Sequence, residues 1–326
     1  MSRYFASRAV QTIVTLALMS LVVFLLIGLM PGDPIDLMIA GDPNMKAEDA
    51  VRLRAAYGLD KPLIDRYLAW AGEALQGNFG YSRSFGQPVF NILWPRLLNT
   101  LLLAGTAFVL SVAIALPLGI WAAAHPRSRT DYLINLFCFA GISTPPFWLA
   151  LLLITLFAVS LGWLPAGGMA NLRPGTPWTA ALTDQLRHLV LPVATLTLIQ
   201  VGSYTRFMRG AMIEALRQDY VRTARAKGAP ERTVLWRHAF ANALAPVLTV
   251  LALSFGSLFS GAVITETMFS WPGMGKAIYQ AVLDNDYNLA LVGLLVATAA
   301  TIAGNLLADL GYAWVDPRVS LSGDLA

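Results

Sequence analysis

The chain has 326 residues, 56% of them apolar and only 13% charged, with a net charge of +4. Soluble domains carry about a quarter charged residues, so a soluble globular fold is excluded, and neither the size nor the sign of the charge selects a nucleic-acid partner. A lone cysteine (Cys138), three scattered histidines (His125, His188, His238) and no Walker A pattern leave no disulfide, no metal or cofactor site and no nucleotide hydrolysis to expect in this chain.

A hydrocarbon core about 30 Å thick takes about 20 apolar helical residues. Six stretches meet that length, near 9–30, 100–124, 132–161, 189–212, 241–264 and 288–312. The first is too long for a secretion signal and runs into "PGDP" where a cleavage site would show small residues, so it reads as a retained anchor. Four units follow: a tail with the first helix (1–30), an extracytoplasmic segment (31–98), a five-helix core (99–312) and a cytosolic tail (313–326).

Within 31–98, "NMKAEDAVRLRAAYG" predicts a short helix that Gly58 stops. A second helix is expected after Pro62, with Leu63, Tyr67, Trp70 and Ala71 on one face, and "GNFGYSRSFGQPVFNIL" suggests a short hairpin. So small a unit is expected to pack on the membrane helices.

In the third stretch, "GISTPPFW" sets Pro145 and Pro146 in tandem, which predicts a kink or break. Ser143, Thr144, Pro145 and Pro146, with Gln200 and Ser203 of the fourth stretch, are candidate lining of a translocation path; helix packing and interhelical hydrogen bonding are the alternatives. No ionisable residue lies deep within any stretch, which argues against ion coupling and against an intramembrane hydrolase.

Arginine and lysine set the direction. Arg3 and Arg8, Arg127 and Arg129, and eight cations between Arg206 and Arg237 fall on one side; the two short connections on the other side hold Arg173, Arg187 and Lys276. The N- and C-termini are therefore expected inside. The densest basic passage, "DYVRTARAKGAPERTVLWRHAF" at 219–240, is ordered rather than merely charged. Leu216, Tyr220, Thr223, Ala224 and Lys227 make one helical stripe, and Arg222 and Arg225 project from the rest. A helix near 211–228 is expected to end at Gly228, with Pro230 opening the next. An amphipathic lipid-binding helix is the alternative.

The motif "YVRTARAKG" followed by "RHAFANALAPVLT" resembles the cytoplasmic loop of ABC importer permeases of the dipeptide/oligopeptide/nickel family. The resemblance extends along nearly the whole chain through "PGDP", "YGLDKPL", "GNFGYS", "TPPFW", "LPAGG", "FSWPGMG" and "WVDPR", and the early "PGDP" is similar to the B-type member of the permease pair. It implies an all-α integral membrane protein with the type I importer permease fold, six transmembrane helices, N-in and C-in, and a small external segment between helices 1 and 2. It also implies a bacterial inner-membrane subunit that is not an enzyme and takes peptides, with nickel or another small solute as the alternative. From a different class, an ATPase-independent carrier or channel is the remote alternative.

By the same resemblance the partners are a homologous second permease, two cytosolic ATPases that bind ATP and Mg, and an extracytoplasmic binding protein. Tyr220, Val221, Arg222, Thr223, Ala224, Arg225, Ala226, Lys227 and Gly228 are then the ATPase-coupling residues. The E-A-A that opens the general importer pattern is Arg222-Thr223-Ala224 here. Glu266 and Trp271 fall in an external gating segment, or in a loop that anchors the chain at the interface.

Overall fold

The computed structural model describes residues 2–29, 52, 60–171, 176–260 and 262–315. "PGDP" at 31–34, the short helix expected over 44–58, Arg173 and the tail from 316 lie outside the described residues. Helix α1 is Ser2–Gly28, α2 Leu63–Leu75, α3 Val89–Ala124, α4 Arg129–Ser143 and α5 Pro146–Ser160. Then come α6 (Trp178–Leu216), α7 (Asp219–Ala226), α8 (Glu231–Ser257), α9 (Val263–Met268), α10 (Met274–Leu283) and α11 (Tyr287–Val315).

Five of these helices are long and apolar enough to cross a membrane, and α4 with α5 adds a sixth crossing if the pair counts as one span. The pair bends by 102° at Thr144–Pro145. The cause is local: each proline pushes the residue before it out of the helical region. Thr144 sits at φ −83°, ψ 123° and Pro145 at φ −62°, ψ 134°, so α4 stops at Ser143 and Pro146 opens α5.

Neighbour contacts show that the bent pair still joins opposite ends of the bundle. Helices α3 and α6 run parallel: Ala107 meets Thr197, Ser111 meets Gln200, and Gly119 packs on Thr205 and Met208. Against them α4 runs antiparallel, with Asp131 on Arg209 and glycines at the crossing. A Cβ on Gly141 would lie 2.7 Å from the Leu198 carbonyl oxygen, and one on Gly202 would lie 2.6 Å from that of Cys138. Beyond α5, Arg187 Nη2 donates to the Trp163 carbonyl (2.7 Å) and Gly168 N to that of Phe269 (2.7 Å). The pair thus starts beside the end of α6 and finishes beside its beginning, which makes it one broken span.

Several boundaries differ from the sequence reading. Helix α3 begins at Val89, not near 100, because Val89, Ile92, Leu93 and Leu97 are buried against α10 and α11 although Asn91, Arg96 and Asn99 interrupt the apolar run. Helix α6 begins eleven residues before the predicted 189, through an amphipathic turn region, and α8 spans Glu231–Ser257 rather than 241–264. The expected hairpin at 77–93 reduces to one bridge, Tyr81 with Pro88. Helix α2 lies on α1: Tyr67 meets the Phe24 ring at 5.5 Å and bonds the Ser20 hydroxyl at 2.9 Å.

Two cations lie within a predicted span, though not deep in it. Arg206 and Arg209 fall inside the predicted fourth stretch, where Arg206 covers the Phe139 ring (4.6 Å) and Arg209 forks onto Asp131 (2.7 and 2.8 Å). Both are neutralised or covered by α4, at the end of the bundle rather than its middle.

Large apolar side chains face outward along α1, α4, α5 and α8, among them Ile13, Leu133, Val159 and Leu253. Such a surface suits lipid and partner subunits, not water. Five exposed tryptophans lie toward the ends of the bundle, Trp94, Trp163 and Trp178 at one and Trp121 and Trp236 at the other, as interfacial belts would be, while Trp148 is exposed at the elbow.

Candidate coupling corner and external cap

The helix expected over 211–228 is two helices. Helix α6 ends at Leu216, Arg217 and Gln218 turn the chain, and α7 occupies Asp219–Ala226. Its sequence alone would not hold it, because an isolated helix of eight residues is marginal in water. Packing does: Val221 and Ala224 are buried with Val234 of α8, beside Leu216 and Ala229. Burying one valine contributes about 1.5–3 kcal/mol. The predicted stripe is therefore corrected. Ala224 belongs to the inner face with Val221, while Tyr220, Thr223 and Lys227 are exposed beside Arg222, Arg225 and Ala226. The outward surface is polar and cationic because the apolar positions of so short a helix are used up in docking it. Partial burial still pushes the Tyr220 phenol above its ordinary pKa, so it stays a neutral donor.

After Lys227 the chain reverses at Gly228, whose φ of +76° is open to glycine and costly for a β-branched residue. Pro230 then leads into Glu231. Arg225 grips Glu231 across this corner through Nε–Oε1 (2.8 Å) and Nη2–Oε2 (3.2 Å). Both groups are exposed, so the pair sets geometry more than stability. Directly after the corner, α8 opens with a π-helical stretch, Val234–Phe240.

At the opposite end, α9 and α10 form a cap over the start of α3. Glu266 is wholly buried. Its Oε1 accepts from Thr100 Oγ1 (2.7 Å) and from Ala262 N (3.5 Å), and its Oε2 accepts from Lys276 N (2.8 Å). Thr100 Oγ1 in turn accepts from Met274 N (2.8 Å). Any Cβ on Gly273 would lie 2.3 Å from the Glu266 carboxyl carbon, so the carboxylate fills the space a side chain would need. Trp271, also buried, donates Nε1–H to the Asn99 carbonyl (3.0 Å), and Asn99 Nδ2 donates to that of Pro272 (2.9 Å). Glu266 and Trp271 therefore meet in one structure, with Asn99 and Thr100 as partners that the sequence reading did not include. The "FSWPGMG" glycines were the signal for a close approach; its target, on a helix 166 residues earlier, had none.

Two further polar contacts fix the same end. Asp286 is buried and its Oδ2 accepts from the Ser82 hydroxyl and from Ser84 N (3.0 Å), which ties the turn before α3 to the start of α11. The path candidates are less gathered. Ser143 and Pro145 are exposed at the elbow, Thr144 and Pro146 half-buried, and Thr144 Oγ1 donates to the Ala140 carbonyl (2.6 Å). Gln200 Oε1 lies 3.1 Å from Ser111 Oγ of α3, and Ser203 is half-buried one turn on.

Comparison with known proteins defines the class. Residues 115–321 match the family described as "Binding-protein-dependent transport system inner membrane component", and residues 1–104 match its N-terminal membrane component. The chain is 38% identical over 320 residues to the oligopeptide transport system permease protein AppB of Bacillus subtilis, covering 98% of this chain and 99% of that one. It is 39% identical over 336 residues to the di/tripeptide transport system permease protein DppB of Pseudomonas aeruginosa, again with 98% and 99% covered. Against the dipeptide transport system permease protein DppB of Alkalihalophilus pseudofirmus the identity is 35% over 333 residues, with the same coverage. The chain belongs to the binding-protein-dependent inner-membrane permease family. It is a multi-pass permease subunit of an ABC transporter and not itself an enzyme; such subunits work with an ATPase and a substrate-binding protein.

Proposed function

We propose that the chain is half of the translocation pathway of a peptide importer in a bacterial inner membrane. Similarity over almost its full length to permeases named for oligopeptides, di/tripeptides and dipeptides carries this reading. Its partners are a homologous second permease, two cytosolic ATPases that hold ATP and Mg, and an extracytoplasmic binding protein. The end that carries α7 and the cations is cytoplasmic, by the distribution of arginine and lysine. Tyr220–Gly228 is the coupling element: its exposed side chains, Tyr220, Arg222, Thr223, Arg225, Ala226 and Lys227, meet the ATPase, and Val221 and Ala224 tie that contact to α8. Closure of the two ATPases then moves α6 and α8 together, because both ends of α7 join them directly. Coupling of this kind works only if the corner fits one arrangement of the ATPase better than the other. Glu266 and Trp271 hold the external cap over the start of α3, and Ser143–Pro146 at the elbow between α4 and α5, with Gln200 and Ser203 of α6, line the path.

The substrate is tested by uptake of a labelled dipeptide and of labelled nickel in a strain that lacks this chain and in the same strain with it restored. Restored dipeptide uptake that also needs the ATPases is the expected result; restored nickel uptake alone would reassign the cargo. The corner is tested by Gly228→Val. Nothing lies within 4 Å of a Cβ there, so the effect comes from the backbone alone, about 1–2 kcal/mol against φ of +76°. Uptake should fall several-fold while membrane insertion stays normal, and Gly228→Asn, which tolerates the left-handed region, should be milder. Equal uptake by the valine variant would sink the assignment.

A further inference from the structure

The docking of α7 leaves one charged feature of the same end unused. An open pocket of about 400 Å³ is lined by Arg232, Thr233, Trp236 and Arg237. These positions are i, i+1, i+4 and i+5, one face of the first turns of α8, while Val234 on another face is buried under α7. Both arginines are exposed, and among the described residues no carboxylate comes within ion-pair distance of either. The nearest acid in sequence, Glu231, is turned away and held by Arg225. One turn beyond Arg232, Trp236 sets its half-exposed indole edge-on to Phe240 at 5.5 Å. Along this face Arg232 comes first, Trp236 and Arg237 share the next turn, and Phe240 follows before the apolar body of the span.

That order matches the layers of a membrane surface. Guanidinium forks bind phosphate oxygens bidentately, a hydroxyl adds a donor, and an indole rests at the level of the glycerol backbone. A contact made only to an ATPase would need no ring pair on the side toward the apolar span. We propose that Arg232, Thr233, Trp236 and Arg237 bind the phosphate of an anionic phospholipid in the cytoplasmic leaflet, two residues beyond the coupling corner. The lipid holds the first turn of α8 at the membrane surface, so that motion of α7 tilts the span instead of lifting its end. The site rests on the orientation argued under Proposed function.

The test uses the complete transporter, with this chain wild type or carrying R232Q and R237Q. It is assembled in nanodiscs of phosphatidylcholine with phosphatidylglycerol, and retained lipid is read by native mass spectrometry. Wild type should retain phosphatidylglycerol over phosphatidylcholine, and retention should fall about fivefold per arginine removed, the factor for one cation near an anionic leaflet. If the glutamine variant fails to insert, Arg232→Lys with Arg237→Lys keeps the charge, loses the fork and should retain an intermediate amount. Unchanged retention in the variants overturns the site. So does unchanged retention with weaker ATPase capture, which would assign the pair to the ATPase, and so does displacement by inorganic phosphate alone, which would make it a free-anion site. Orientation is read separately by an Arg129→Cys reporter, exposed at the same end beside the Asp131–Arg209 pair and outside the coupling element, and a membrane-impermeant maleimide. Labelling from outside overturns the orientation; labelling from inside with unchanged lipid retention overturns the lipid site alone.

Discussion

Glu266→Ala is expected to abolish uptake and to loosen the cap that α9 and α10 form over the start of α3. The substitution strands three donors that now point at one buried carboxylate: the Thr100 hydroxyl, the Lys276 amide and, at longer range, the Ala262 amide. Each buried donor left unpaired costs about 1–3 kcal/mol, so the three together cost about 3–9 kcal/mol before any cavity is counted. Glu266→Gln keeps the shape and one acceptor but turns an N–H toward a donor, and should retain part of the activity. Limited proteolysis of residues 262–286 separates the two effects. The alanine variant should be cut within the cap while the membrane helices stay intact. Full uptake by Glu266→Ala, with an uncut cap, would show that the cage is dispensable.

Asp131→Ala should be the most damaging change at the end of the bundle that carries α7. Asp131 accepts two bonds from Arg209 (2.7 and 2.8 Å), one from Asn135 Nδ2 (2.7 Å) and one from Arg127 N (2.9 Å). It is nearly buried, and Arg209 is about a quarter exposed. Removing one partner of such a pair leaves the other charge poorly solvated, at a cost of about 3 kcal/mol, the low end for a buried pair because of that exposure. Arg209 lies two turns before the end of α6, so the pair ties the loop before α4 to the helix that carries α7. Lower accumulation and lower uptake are expected together. Asp131→Ala with Arg209→Ala should recover much of the accumulation, since the stranded charge is gone, without recovering uptake to the same degree. Additive losses in the double variant would mean that the two residues act independently.

Much of this architecture could be read before any coordinates. The break in the third span follows from Pro145 and Pro146 whatever surrounds them, and the corner at Gly228 follows from a glycine set just ahead of Pro230. What went wrong went wrong at edges. Polar residues such as Asn91, Arg96 and Asn99 ended the apolar run near 100, yet α3 starts at Val89, where its apolar face packs and two of those side chains find partners: Asn99 on Pro272, Arg96 over the Phe85 ring. The stripe on α7 was misassigned for a related reason. Helical spacing groups Ala224 with Tyr220 or with Val221 equally well, and only the position of Val234 decides which side faces in.

By itself the sequence pointed to the class of the protein, to six apolar spans and to the places where proline and glycine stop helices, because hydropathy, proline and glycine act over a few residues at a time. Tertiary structure alone decided which residues meet across the chain. Glu266 with Thr100, Asp131 with Arg209 and Asp286 with Ser82 are pairs separated by 78 to 204 positions, and no local pattern marks one partner for the other. Each becomes a pair only when the packed helices exclude water from a polar group and leave one donor or acceptor within reach.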